Sequence, residues 1–271
     1  MMKRLFITFF IAVFSVVFSI ARNPDSVKYT ICHKTNEKII IDGFLDKPAW
    51  EQAEWITDFE DIRGGGCAKH KTQVKTLYNN DYLYLAVMFY EPHICANITE
   101  NEKQIYLDNA FELFIDPDGD GLNYYEFEIN ANGATWDLQL DKPYRKGGIA
   151  NNNWNIDELK KAIFINGTLN NPTDIDSFWT IELAIPFSVF DEYKNGTYPA
   201  DGEQWKINFL RVEWNYDIED RKYVKKTDEN DEILQSDFWV WSPQKKIDMH
   251  IPERWGIIEF KETEKHTNIK H

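Results

Sequence analysis

The chain has few cysteines, little positive charge and none of the short motifs that mark several enzyme classes. Cys32, Cys67 and Cys95 are its only cysteines, and an odd number allows at most one disulfide within the chain. They form no Cys-x-x-Cys spacing, so a zinc site is not expected. The sequence also contains no GxSxG, HExxH, P-loop or GxGxxG motif, so it offers none of the catalytic frameworks that those motifs define.

Basic residues are outnumbered by acidic ones, 30 to 45, which gives a net charge of −15. Negative charge repels phosphate backbones and anionic lipids, so nucleic acid and membrane surfaces are not expected partners. No long apolar run follows Ala21. We therefore expect no membrane insertion after signal cleavage.

Residues 1–21 have the pattern of a secretory signal peptide. Lys3 and Arg4 form a basic start, the segment from Leu5 to Ile20 is uncharged and apolar, and Ala21 precedes the expected cleavage point. The apolar run is shorter than the ~20 residues that a membrane-spanning helix needs. The mature protein is therefore expected in the periplasm, on the cell surface or outside the cell.

Short segments of alternating apolar residues, separated by turn residues, recur along the chain and predict strands. They are Lys38–Ile41, Gln73–Tyr78, Tyr82–Tyr90, Phe111–Asp116, Tyr125–Asn130, Thr135–Leu140, Ala162–Gly167, Trp179–Ile185, Trp205–Glu213 and Gly256–Phe260. Helical signal is confined to Pro48–Trp55 and Pro186–Tyr193, each opened by a proline. This pattern predicts an all-β fold: an antiparallel β-sandwich of jelly-roll or immunoglobulin-like type with few short helices.

No linker rich in Gly, Ser or Pro divides the chain, so residues 22–262 are expected to form a single β-sandwich domain. The charged stretch Asp217–Asp237 is predicted to be a long loop. Residues 263–271 are polar and are predicted to be a disordered tail.

The segment from Tyr106 to Leu140 predicts three consecutive strands with one polar face. The positions between its apolar residues carry carboxylates and amides, which we expect to share a face: Glu112, Glu126, Glu128, Asn130, Asp137 and Gln139. With Tyr106 and Trp154 at its edge, such a face suits a polyhydroxylated ligand, since aromatic rings pack on sugar C–H faces. A plain solvated face of an antiparallel sheet is the alternative. Trp136, in phase with its apolar neighbours, is expected mainly in the core.

The turn after the first of these strands holds a cluster of hard oxygen ligands. Asp116, Asp118 and Asp120 give a D-x-D-x-D-G pattern with Gly121, and Glu126 could approach from the neighbouring strand. These ligand types suit calcium, although the flanking strands exclude an EF-hand. The alternative is an acidic hairpin turn, because Asp and Gly are common turn residues.

Six blocks, taken in order, resemble one known family. They are Ile41–Gly43 with Leu45, Asp46 and Trp50; Tyr82–Leu85; Asp108–Asn130; Phe178–Glu182 with Ile185–Phe187; Gly202–Phe209; and His250–Gly256. Together they resemble the family 9 carbohydrate-binding modules, and in particular the stand-alone family-9-like proteins that polysaccharide-using bacteria export. The resemblance spans Ile41 to Phe260. It implies a jelly-roll-like sandwich, carbohydrate binding and often structural calcium.

The resemblance also implies roles for individual residues. In modules attached to xylanases, two Trp side chains sandwich a terminal sugar while Glu, Arg and Asn side chains bind its hydroxyls. Tyr106 stands in the place of the first Trp, ahead of Glu112, and Asn130 matches the Asn. Glu128 occupies the Arg position, and the second Trp falls at or next to His250.

We therefore expect an exported protein that captures poly- or oligosaccharide without cleaving it and assists glycoside hydrolases in carbohydrate catabolism. The expected contacts are Tyr106, Glu112, Glu128, Asn130, Trp154 and His250. One alternative is a glycoside hydrolase, or an accessory domain of one, using a pair among the strand glutamates. A haem-binding sandwich with Met or His axial ligands is another.

Overall fold

The computed structural model describes residues 26–262, apart from 191, 192, 194 and 195. The predicted signal peptide and the predicted tail at 263–271 lie outside the described residues. Within the described part of the chain, none of the helical segments has the length and apolarity that a membrane-spanning helix needs.

The described part of the chain contains fifteen strands, which hold about 40% of its residues. They are β1 Tyr29–Lys34, β2 Glu60–Asp61, β3 Thr72–Tyr78, β4 Tyr82–Tyr90, β5 Ala110–Asp116, β6 Tyr124–Asn130, β7 Thr135–Leu140, β8 Ala150–Asn151, β9 Lys160–Asn166, β10 Phe178–Pro186, β11 Gln204–Glu213, β12 Tyr216–Glu219, β13 Lys222–Lys225, β14 Asp237–Val240 and β15 Gly256–Lys261. Short 3-10 turns cover Pro48–Gln52, Ile105–Leu107, Tyr144–Lys146, Phe187–Phe190 and Pro252–Arg254.

Thirteen of these strands form one curled sheet whose two halves pack face to face. The strand order is β8-β7-β6-β5-β11-β15-β1-β3-β4-β10-β9, and β14 joins β11 and carries β2. Phe89 on β4 meets Phe111 on β5 with ring centroids 6.0 Å apart, and Phe111 stacks on Phe209 of β11 at 6.1 Å. The core therefore lies between the two halves, and the predicted all-β sandwich is confirmed.

One strand departs from the predicted antiparallel arrangement. β1 lies between β15 and β3 and runs parallel to both, with Tyr29 opposite Ile257 and His33 opposite Leu77. A parallel pair cannot be closed by a tight hairpin, and β1 meets the final strand of the described chain. The sheet is therefore mixed at this point.

Most predicted strands form within a residue or two of their predicted ends, but three predictions were wrong or incomplete. Lys38–Ile41 is not a strand; just after it, the backbone N–H groups of Asp42 and Gly43 donate to the Glu182 carboxylate instead of to a neighbouring strand. The charged stretch Asp217–Asp237 contains the β12–β13 hairpin rather than only a loop. β1 and β14 had no clear alternation and were missed. All three cysteines are free.

The outer face of the β7-β6-β5-β11 region is covered as well as the inner one. Every residue of β5 and β6 is buried. A second apolar cluster lies on this outer side and includes Phe114, Leu138, Leu210, Met249 and Trp255. The half-buried strands expected from alternation are thus buried on both faces, and polar residues among them are enclosed rather than solvated.

Candidate functional site

A cavity of about 500 Å³ opens on this covered outer face. Its base is formed by side chains of β5, β6 and β7. One side is closed by the segment at Gln104 and Tyr106, and the other by Tyr144 and residues 247–250. The cavity brings together residues that lie far apart in the sequence, and its lining combines aromatic rings with carboxylates.

Three glutamates lie at the base of the cavity. Glu112 on β5 pairs directly with Glu128 on β6, and Glu126 is two residues from Glu128 on the same strand face. Their exposed fractions are 4%, 6% and 1% for Glu112, Glu126 and Glu128. One carboxylate oxygen from each lies within 4.8 Å of the others. The alternative of a solvated polar face is therefore wrong for these residues.

Burial changes the protonation of this glutamate triad. Loss of hydration raises the pKa of Glu112 and of Glu128 well above the ordinary value, and the neighbouring carboxylates raise both further. The pKa of Glu126 rises to about 8, again chiefly through burial. Near neutral pH the triad therefore retains protons, and it offers both O–H donors and carboxylate acceptors to a ligand.

Two aromatic rings face the cavity beside the triad. Tyr106 and Trp136 have ring centroids 6.0 Å apart with an interplanar angle of 39°. The backbone N–H of Tyr106 donates to Glu128 at 2.8 Å, which holds the Tyr106 backbone beside the acid. Trp136 pairs with Glu128 in the sheet and so projects from the glutamate face. It packs partly on the outer apolar cluster and partly lines the cavity.

His250 closes the opposite side of the cavity. Its Nδ1 lies 3.0 Å from the hydroxyl oxygen of Tyr124, its Nε2 lies 3.9 Å from Glu126, and the Tyr144 ring packs edge-on at 4.6 Å. Burial lowers the pKa of His250 to about 4, so the imidazole is neutral near pH 7. Arg145 donates to the His250 carbonyl and holds this segment in place.

The structure places Asn130 outside the cavity, although it lies on the same face of β6 as the glutamates. Its amide nitrogen donates to the Ile98 carbonyl and to Asp108, at 2.8 and 2.9 Å. Its amide oxygen accepts from the backbone N–H groups of Asn132 and Ala134. Every polar atom of this buried side chain therefore holds the β6–β7 turn and a neighbouring loop.

Trp154 also lies away from the cavity, on the other side of the sheet. Its ring packs against Tyr125 at 4.7 Å and contacts the inner core. Asp137 and Gln139 share that side, because they pair with Phe127 and Tyr125 rather than with the glutamates. The expectation that they accompany Glu128 was therefore wrong. In the register set by the Asn132–Gly133 turn, Trp136 lies opposite Glu128 and Leu138 lies opposite Glu126.

Sequence reasoning missed Tyr144 as a cavity residue and assigned Glu126 to the wrong cluster. Tyr144 is half-exposed on a 3-10 turn with no periodic context, so no sequence signal marked it. Glu126 belongs to the triad with Glu112 and Glu128, while Asp116, Asp118 and Asp120 form a separate group at the β5–β6 turn. The spacing of two residues between Glu126 and Glu128 was the sequence signal that could have placed Glu126 in the triad.

The aspartates at that turn offer the ligand type that calcium prefers, but their oxygens also accept hydrogen bonds from backbone N–H groups of the turn. Both oxygens of the buried Asp116 accept backbone N–H groups, from Gly119 at 3.0 Å and Gly121 at 2.9 Å. Asp118 accepts from Asp120, and Asp120 accepts from Leu122. The three side chains still bring one carboxylate oxygen each within 4.8 Å. Asp118 and Asp120 are exposed and keep oxygens for an ion.

Solved structures similar to this chain share its fold. A protein from Bacteroides uniformis to which carbohydrate binding is ascribed has a TM-score of 0.64 and 17% identity, covering 87% of this chain and 100% of its own. A family 9 carbohydrate-binding module from Caldicellulosiruptor kristjanssonii is similar in two complexes. With cellotriose the TM-score is 0.55 at 14% identity, covering 90% of this chain and 99% of that one. With glucose the values are 0.54 and 16%, covering 88% and 100%.

The sequence comparisons give the family directly. A search of curated proteins finds no significant match. The model of carbohydrate-binding family 9, in contrast, matches residues 68–260, which is most of the chain. That match includes β5, β6 and β7 and every residue of the glutamate triad. The chain therefore belongs to carbohydrate-binding family 9, a family of non-catalytic carbohydrate-binding modules.

Proposed function

We propose that this protein is exported and binds the sugar residues of a poly- or oligosaccharide in the cavity above the glutamate triad. The observation that carries this proposal is the placement of Tyr106 and Trp136 beside Glu112 and Glu128 in one cavity of about 500 Å³. Aromatic rings and a few convergent polar groups are the usual composition of a sugar site. The structures of similar modules are complexes with cellotriose and with glucose.

The two kinds of side chain have separate tasks. The rings of Tyr106 and Trp136 pack against the C–H face of a sugar and remove apolar area from water. The triad bonds the hydroxyl edge, and because it retains protons near neutral pH it can both donate and accept. Neutral His250 adds one further polar group at the far side.

We also propose that the protein works beside glycoside hydrolases in carbohydrate catabolism and that the aspartate turn binds a structural calcium ion. The signal-peptide pattern of residues 1–21 and the binding character of the family support the first point. The three carboxylate oxygens within 4.8 Å at Asp116, Asp118 and Asp120 support the second.

A glycan array probed with the mature chain, followed by calorimetric titration of the best ligand, tests the site. Tyr106→Ala and Trp136→Ala should each weaken binding about 2- to 10-fold, the loss expected for one stacking ring. Trp154→Ala is the matched control: it removes an aromatic ring outside the cavity and should leave affinity unchanged. Unaltered affinity in both cavity variants, or a loss only in the control, would contradict the placement of the site.

A further inference from the structure

The glutamate triad has no positive partner within the cavity. Among the described residues that line it, none is a lysine or an arginine. Glu112 is 4% exposed, its carboxylate faces the cavity, and it receives no hydrogen bond from any described residue. A buried carboxylate without a partner carries a large desolvation cost. Glu112 therefore presents buried carboxylate oxygens to the cavity, where a bound cation would stabilise them.

The spacing of the three carboxylates matches the coordination of a single ion. Calcium binds oxygen ligands at about 2.3–2.6 Å, so three ligands spread evenly around it lie roughly 4.0–4.5 Å apart. The triad oxygens lie within 4.8 Å of one another, so a small approach of the side chains at most brings all three into contact with one ion. Ligands of this hard, all-oxygen type suit calcium, magnesium or manganese rather than softer metals.

We propose that Glu112, Glu126 and Glu128 bind one divalent, oxygen-preferring metal ion at the base of the cavity. Calcium takes about 6–8 oxygen ligands, so three monodentate carboxylates leave several coordination positions open. The remaining volume, about 500 Å³ in all, accommodates water or a pair of sugar hydroxyls at those positions. The sugar contact rests on the proposed function, whereas the metal site stands without it.

The glutamate triad differs from the aspartate turn in the hydrogen bonds that its carboxylates receive. Both oxygens of Asp116 are bonded to backbone N–H groups, while Glu112 has no bond of that kind. The cation could instead be the ammonium group of an amino sugar, since the aromatic walls suit a sugar ring. We choose the divalent ion, because it carries two positive charges where an ammonium group carries one.

Titration calorimetry of the metal-stripped mature chain with calcium, magnesium or manganese chloride, in the absence of sugar, tests the proposal. The Asp118→Ala, Asp120→Ala double variant serves as the background, so that the turn contributes no signal. We expect one binding site for at least one of the ions. Glu112→Gln and Glu128→Gln should each weaken it by about tenfold or more, because the ligand charge falls. Glu100→Gln, which changes an exposed glutamate elsewhere, should leave it unchanged.

Circular dichroism and melting curves confirm that each near-isosteric Gln variant is folded. Absence of metal binding in the background variant, or binding indifferent to Glu112→Gln, would overturn the proposal. A preference for glucosamine over glucose in chelator, without metal binding, would assign the triad to an ammonium group and would also overturn it. Metal binding lost in the Gln variants, with no glycan retained on the array, would support the metal site while refuting the proposed sugar function.

Discussion

Two clusters of buried carboxylates in this protein differ in whether a cationic side chain lies beside them. In the first, Arg211 contacts both Glu91 and Glu213, and all three side chains are almost fully buried. In the second, the triad of Glu112, Glu126 and Glu128 has no cationic neighbour among the residues that line its cavity. Arg211 of the first cluster is on β11, and Glu112 of the second is on the neighbouring strand β5. The carboxylates of both clusters are buried, so burial alone does not distinguish them.

The pairing of β5 with β11 explains why one arginine serves only one cluster. Leu210 lies opposite Glu112, and Arg211 lies opposite Phe111. Successive side chains of a strand point to opposite faces, so Arg211 points toward the inner core, where it lies over the Phe89 ring. The inner cluster thus has one arginine between two carboxylates, and burial still raises the pKa of Glu91 to about 8. The outer cluster has no such cation among the described residues that line its cavity, so its carboxylates can bind a proton or a ligand. We therefore place the binding site at the outer cluster.

The largest expected effect comes from removing the cation of the inner cluster. Arg211→Met leaves Glu91 and Glu213 buried without their arginine, and breaking a buried pair in this way costs about 3–5 kcal/mol. Urea unfolding followed by tryptophan fluorescence measures the free energy of unfolding. Glu112→Gln is the matched change in the outer cluster and should cost little, because it removes repulsion rather than a partner. Equal losses in the two variants would contradict the distinction between the clusters.

A smaller effect is expected from pH in the metal-free protein. Burial raises the pKa of Glu126 to about 8, with Glu112, Glu128, His250 and Asp248 as its ionisable neighbours in the cavity. The folded state then favours the protonated form, so this stabilisation is complete below the unfolded pKa and is lost as pH rises toward 8. Between about pH 6 and about pH 7.5 we expect Glu126 alone to contribute a loss of up to about 2 kcal/mol in the free energy of unfolding.

Chemical unfolding at a series of pH values in chelator checks this dependence. Glu126→Gln should make the profile less steep, because the amide does not titrate while Glu112 and Glu128 still do. A profile that rises through the same interval, or that is unchanged by Glu126→Gln, would show that the triad does not hold its protons in the folded state.

Much of the central sheet could be predicted from the sequence, because alternation and turn chemistry act locally. The apolar positions of β5 and β6 and the Asn132–Gly133 turn follow from period two and from a glycine with positive φ. The coverage of the second face could not be predicted. It depends on residues 247–255 folding back over the sheet, and no local pattern encodes such a distant contact.

The candidate site divides in the same way. Tyr106, Glu112, Glu128 and His250 do lie together at the cavity, and the resemblance to the family rather than alternation had linked His250 to the others. Asn130 lies on the same strand face as the glutamates, but it is at the end of the strand. There its amide oxygen accepts the backbone N–H groups of Asn132 and Ala134 in the turn. Its role therefore depended on the local geometry of that turn and not on the face it occupies.

The smallest expected effect concerns the aspartate turn, whose buried carboxylate is compensated by backbone N–H groups instead of by a cation. In the Glu112→Gln background, which weakens the triad site, calcium at ten times its dissociation constant should stabilise the protein by about 1.4 kcal/mol if it binds the folded state alone. Adding Asp118→Ala and Asp120→Ala should abolish the rise in melting temperature. A melting curve in that background that does not respond to calcium or chelator would reduce the turn to an acidic hairpin, held by the bonds from Gly119 and Gly121 to Asp116. Of the glutamate triad and the aspartate turn, only the triad would then remain a candidate metal site.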